Sequence, residues 1–196
     1  DGEVAAFIGT PIGQSVGGGA GVIDVDDVIT IEAASDMNAD TDLDNVGISG
    51  AVSVGVLSTL SDVAGATRAY VGQGADILAN GLEIDADGDY DADARTLSVN
   101  ASGVFSAADL EAHAIVSGTV DAHAGAAANT VPSANLATID VGSGEIDITA
   151  IGRMLAKPDI DSVGIAGGAT VSDIELIADV TGTVQAYVGE GVEVDA

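Results

Sequence analysis

Residues 31–79 and 148–196 superimpose at an offset of 117 without a gap, and 20 of the 49 positions are identical. No other feature constrains the fold as strongly, because a repeat held in one register makes the chain an array of similar units. The run Val46-Gly47-Ile48-Ser49-Gly50 returns as Val163-Gly164-Ile165-Ala166-Gly167, and Ala69-Tyr70-Val71-Gly72-Gln73-Gly74 returns as Ala186-Tyr187-Val188-Gly189-Glu190-Gly191. A weaker copy lies between them, with Ile84-Asp85-Ala86 matching Ile31-Glu32-Ala33, and Val120-Asp121-Ala122-His123-Ala124-Gly125 in the place of the tyrosine run. Val4-Ala5-Ala6-Phe7-Ile8-Gly9 is a further copy. The element starts near residues 5, 69, 121 and 186, giving spacings of 64, 52 and 65, so the 117-residue period is a long unit plus a short one. The units are predicted at about 1–64, 65–116 and 117–181, with 182–196 starting the next. The expectation is one continuous array, either a segment of a longer one or a protomer that continues head to tail.

Within a unit, aliphatic residues alternate with acidic or hydroxyl ones, as in Leu82-Glu83-Ile84-Asp85-Ala86, Ile146-Asp147-Ile148 and Val192-Glu193-Val194. That alternation predicts short strands with one face in a core and the other in water. Asn80-Gly81 and Asp87-Gly88 are predicted turns. Phe105–Ile115 has a helix-compatible composition, but its counterparts Val54–Leu60 and Val171–Ile177 alternate, which favours a strand. The predicted fold class is all-β, a β-solenoid (parallel β-helix) in which each coil covers the apolar edge of the one before. Small core residues suit stacking at about 4.8 Å, and aromatic residues make up 3% with no tryptophan. Tandem β-sandwich modules are the alternative that a 117-residue period also fits.

The stretch Gly74-Ala75-Asp76-Ile77-Leu78-Ala79-Asn80-Gly81-Leu82-Glu83-Ile84-Asp85-Ala86, with the Ala-Tyr-Val-Gly-x-Gly element before it, resembles the repeats of filamentous-haemagglutinin-like bacterial surface adhesins. The resemblance covers most of the chain through small, common residues. It implies right-handed parallel β-helices and an exported, elongated, non-catalytic scaffold in adhesion or a surface filament. The density of aspartate and the Arg153–Pro158 stretch depart from the pattern.

The 32 acidic and 4 basic residues leave a net charge of −28. Phosphate recognition relies on Lys and Arg, so nucleic acid is excluded as a partner. With no cysteine, disulfides, thiolate zinc and a cysteine nucleophile are excluded together. There is no apolar stretch of the ~18 residues a membrane span needs. The acidic excess has three readings: divalent-cation binding, adaptation to a saline medium, or protection of a long β array from wrong edge pairing.

Asp85, Asp87, Asp89, Asp91 and Asp93 are the candidate metal ligands, since alternate carboxylates around a Gly88 turn could supply oxygens to calcium. The rival reading is a solvated strand face. EF-hand spacing fails, because the twelfth position is Thr96. The related run Asp36, Asn38, Asp40, Asp42 and Asp44 becomes Arg153, Leu155, Lys157, Asp159 and Asp161 one period later, so any ion site is local to one unit. The Gly17–Asp24 run fits neither a toxin-type calcium nonapeptide nor a phosphate loop. His113 and His123 lack histidine counterparts in the other units, and His123 takes the place of Phe7, Tyr70 and Tyr187, which predicts a packed ring. The function expected is that of a structural or adhesive segment of an extracellular array at the cell surface. It would be non-enzymatic, self-associating or continuing head to tail, with a surface glycan or protein as further partner. The alternatives are calcium-rigidified sandwich modules and, more remotely, a glycan-active β-helix enzyme.

Overall fold

A computed structural model describes residues 2–12, 14, 21–128 and 136–196. It is all-β, with 80% of the described residues in strands and no helix among them. The strands are β1 (Gly2–Ile8), β2 (Val22–Asp24), β3 (Val28–Ser49), β4 (Val52–Val71), β5 (Asp76–Leu78), β6 (Gly81–Ser102), β7 (Phe105–Ala124), β8 (Ala137–Asp140), β9 (Ile146–Ala166), β10 (Ala169–Val180), β11 (Thr183–Val188) and β12 (Val192–Asp195). They form three parallel sheets: A (β1-β4-β7, then β10 and β11), B (β2-β5-β8-β12) and C (β3-β6-β9). The chain visits A, B and C in turn, so the fold is a parallel β-solenoid. Tandem β-sandwiches are ruled out by this pairing, because they need antiparallel neighbours within each sheet.

Ala6 pairs with Ala69, Ala69 with Ala122 and Ala122 with Ala186, so successive coils lie 63, 53 and 64 residues apart. The extra residues of the long coils fall between sheets A and B, after Gly9 and Gly125. There the corner bends through positive φ, at 96° and 99°, which glycine adopts without strain. Asn80 marks a corner as predicted, its side-chain amide donating to the Asp26 carbonyl at 2.7 Å.

The strands are not short. Those of β3, β4, β6 and β7 run 20 to 22 residues, about 70 Å at ~3.3 Å per residue. Phe105–Ile115 is extended within β7, and Asp87-Gly88 is no turn, because β6 passes straight through it. The reason is packing. A side chain at Gly88 would place its Cβ 2.6 Å from Val120 and 2.7 Å from the Tyr90 ring, so the glycine makes room for a core residue instead of reversing the chain. Sheets A and C lie face to face along these long strands, joined at one end by a two-residue turn and at the other by narrow sheet B. The molecule is therefore a slab about 70 Å wide, and its three and a half coils occupy only about 17 Å along the stacking axis.

Close approach of A and C explains the small residues. Ser61 Oγ donates across the gap to the Ala39 carbonyl at 2.6 Å, and Thr41 Oγ1 to the Leu60 carbonyl at 3.1 Å. Three of the large side chains in the gap are each faced by a glycine. Met37, Tyr90 and Met154 form one column of sheet C, and they pack against Gly65, Gly118 and Gly182 of sheet A.

The core has two halves. Near sheet B it is aliphatic, with Val71, Ile77, Leu82, Ile84, Val120 and Ile139 all buried. Near the A–C turn it is mixed, with polar groups around a small cluster of Leu57, Ala108 and Leu110. Asn100, 2% exposed, donates to Ser98 Oγ at 2.9 Å and accepts from Ser53 Oγ at 3.2 Å, while the Thr59 and Thr96 hydroxyls are 2.9 Å apart. These mutual bonds offset the cost of burying polar groups.

Candidate functional site

Two features of the surface carry chemistry: the outer face of sheet C and a column of rings on the outer face of sheet A. Strand alternation sends Asp85, Asp87, Asp89, Asp91 and Asp93 outward from β6, each partly or fully exposed. Residues two apart on one extended strand are separated by nearly 7 Å, so the five form a straight row and do not converge. Among the described residues no group of three His, Cys, Asp or Glu side chains is arranged to hold a metal ion.

The row is instead one line of a grid. Asp36, Asp89 and Arg153 share a column, as do Asp40, Asp93 and Lys157. Arg153 Nε donates to Asp89 Oδ1 at 3.0 Å, with its NH2 on Oδ2, and Lys157 Nζ donates to Asp91 at 2.5 Å. Arg95 lies 3.6 Å from Asp161. The hydrogen bond and then the charge of Asp89 raise the Arg153 pKa above its ordinary value. All four basic residues pair with carboxylates on neighbouring strands, Arg68 with Glu3 being the other case. The basic stretch of β9 thus supplies counter-charges to β6, a role the sequence spacing alone does not reveal.

The second feature is the stack Phe7, Tyr70, His123 and Tyr187. Successive centroids are 5.2, 5.0 and 5.1 Å apart, with planes within 11° of parallel. His123 is fully buried between two tyrosines, with Nδ1 3.2 Å from Asp121 Oδ1. It is a packed ring, as its place in the repeat predicts. The alternation of ring types follows the alternation of coil length. In each long coil the first residues of the A–B connection reach the next ring along the axis, where Ile12 N–H donates to Tyr70 Oη at 3.1 Å and Ala128 N–H to Tyr187 Oη at 2.6 Å. Tyrosine stands where such a connection is received, and Phe7 and His123 stand where one departs.

Burial raises the pKa of Tyr70 and Tyr187, and the loop N–H bond offsets it only in part. A group whose folded pKa is raised contributes stability that is complete below its unfolded value and is lost as pH climbs through the folded one. The expected result is a protein whose stability falls above pH 10, the ordinary tyrosine value. The tyrosinate absorbance removed by Tyr187→Phe should titrate later than that of free tyrosine. The same substitution should speed hydrogen exchange at the Ala128 amide at a cost of about 1 kcal/mol. Unchanged exchange there would show that the hydroxyl does not hold the loop.

At the C-terminal end the space between the sheets opens to solvent as a cavity of about 540 Å³, lined in part by Ile139, Ile146, Ile148, Tyr187 and Val194. A pocket of about 50 Å³ lies beneath the loop at Tyr70. His113 is on β7, its Nε2 buried with no partner among the described residues, and it belongs to neither feature. Gly17, Gly18 and Gly19 of the glycine run, with Ala20, lie outside the described residues. Comparisons with known proteins give no match, whether to a family model, a curated protein or a solved structure.

Proposed function

We propose that the chain is a structural, adhesive segment of an extracellular repeat array at a cell surface, and that the array is a ribbon-shaped filament. The observation that supports this is the stacking of successive coils in one parallel register, with Ala6, Ala69, Ala122 and Ala186 in a single column. Coils that repeat in one register are the unit from which an array of this kind is built. β1 aligns with the second half of β7, and β11 repeats the second half of β4, which keeps the two-coil repeat in phase through the described residues.

The resemblance to large surface adhesins supports export. A non-catalytic reading is supported by a histidine locked in a ring stack and by carboxylates set in straight rows. The acidic grid favours a neutral or cationic partner, such as a glycan or a surface protein, over nucleic acid. Immunogold labelling of intact source cells is the test. Gold is expected along ribbons about 70 Å wide with an axial repeat near 4.8 Å. Labelling inside the cell, or on separate globular beads, would overturn the reading.

A further inference from the structure

We infer that a groove on the outer face of sheet A, between the two long A–B connections, is a binding site for one ring of a neutral saccharide. The groove has a volume of about 330 Å³, at the lower end of the range for small-ligand pockets, about 300–1,000 Å³. Strand register builds its floor. Arg68, Asp121 and Gln185 stand side by side on β4, β7 and β11, two residues before the ring column and therefore on the same face. Thr119 and Thr183 stand side by side two residues earlier, and all five side chains line the groove. The central strand, β7, is paired on both sides here, so the floor does not draw on an open edge.

The rims come from the connections. Ile12 lines one side and Ala128 the other, and these are the residues whose N–H groups donate to Tyr70 and Tyr187. The ring stack thereby anchors the rims two coils, about 10 Å, apart. A groove held open by the scaffold binds its ligand without first paying to order its own walls.

The charges of the lining select the ligand. Arg68 is the one cation of sheet A, the other three being on sheet C. It pairs with Glu3, while Asp121, 3% exposed, lies beside His123 Nδ1. Two carboxylates against one guanidinium disfavour an anion, the guanidinium disfavours an amine, and five polar side chains disfavour an apolar molecule, which would leave them unpaired. A neutral ligand that both donates and accepts at closely spaced points fits, as adjacent sugar hydroxyls do. Nor does the scaffold require these charges, since the same column holds Ala5 in the first coil and Gln185 in the last.

The inference rests on the adhesive reading above and names its partner chemistry. The two fail separately, because this site is tested on the purified chain and that reading on intact cells. Amide spectra of the labelled chain are titrated with methyl α-mannoside, methyl β-glucoside and methyl β-galactoside, and with short oligosaccharides of the same sugars. Saturable shifts at the Ile12, Thr119, Ala128 and Gln185 amides are expected with at least one sugar, at a dissociation constant of about 1 mM for a single ring. Tighter binding of the oligosaccharide assigns the ring to a chain, and equal binding assigns it to a free or terminal sugar. Arg68→Ala should weaken binding at least about 10-fold and Gln185→Ala about 5-fold. Ala5 shows that this column accepts alanine, and Gln185→Ala decides the matter if the arginine variant does not fold. No shift at these amides at about 100-fold above that constant, saturation by glycine or acetate instead, or binding that survives both substitutions would overturn the site.

Discussion

Replacing Tyr90 by alanine is expected to destabilise the slab by about 3–5 kcal/mol, the range for removing a buried aromatic ring. The ring is fully buried between sheets A and C. Its hydroxyl lies 2.8 Å from Thr67 Oγ1 and donates to the Thr119 carbonyl at 3.3 Å. Gly88 and Gly118 are the space it occupies, so neither sheet can collapse into the void without moving a strand of 20 or 22 residues. Tyr90→Phe should cost only about 1 kcal/mol, since packing survives and one hydroxyl is lost. Gly118→Val approaches from the other side: its Cβ would sit 3.0 Å from Cδ2 and Cε2 of the same ring, and the expected loss is as large as that of the alanine variant. Denaturant midpoints of the three variants check this. Nearly equal midpoints for Tyr90→Ala and the parent would show that the ring does not set the sheet separation. Because coils are stabilised by their neighbours, the alanine variant should lose the flanking coils as well.

The second large effect is that of salt. Glu32 stacks on Asp85, Asp36 on Asp89 and Asp40 on Asp93 in sheet C, while Asp109 stacks on Asp173 and Glu111 on Glu175 in sheet A. Like charges about 4.8 Å apart repel by about 1 kcal/mol even in water. Lengthening the Debye length from about 3 Å at 1 M salt to about 30 Å at 0.01 M brings in the more distant pairs as well. The thermal midpoint should therefore fall by several degrees or more on dilution from molar to millimolar sodium chloride. The charge-reversal pair Arg153→Glu and Lys157→Glu should steepen the dependence, because it turns two mixed columns wholly acidic. A midpoint that ignores salt with chelator present would remove both the saline and the cation readings of the acidic face. Calcium added to low-salt protein separates these two, since only specific binding restores the midpoint at micromolar concentration.

Much of the architecture is legible in the residues. Ile31, Ile84 and Ile148 share a column, as do Val54, Ala107 and Val171, so the 117-residue period is two coils of a solenoid. The ring position of His123 is equally legible, because the repeat places it opposite two tyrosines. Strand length is not. Gly88 sits in an Asp-Gly pair that signals a turn locally, and only the Tyr90 ring beside it shows that the chain runs straight. The carboxylate row was legible as a row. Its pairing with Arg153 and Lys157 was not, because those partners are 64 and 66 residues away and meet it only through sheet register.

The sequence by itself determined the approximate coil lengths and which residues face outward, because period-two alternation and an ungapped repeat are properties of the chain alone. Only the tertiary structure decided that the strands pair in parallel, that sheets A and C face each other closely enough to need a glycine opposite Met37, Tyr90 and Met154, and that the cations of β9 pair with carboxylates of β6. Those outcomes depend on which strands lie across the gap or beside one another, and a periodicity along one strand carries no information about what faces it.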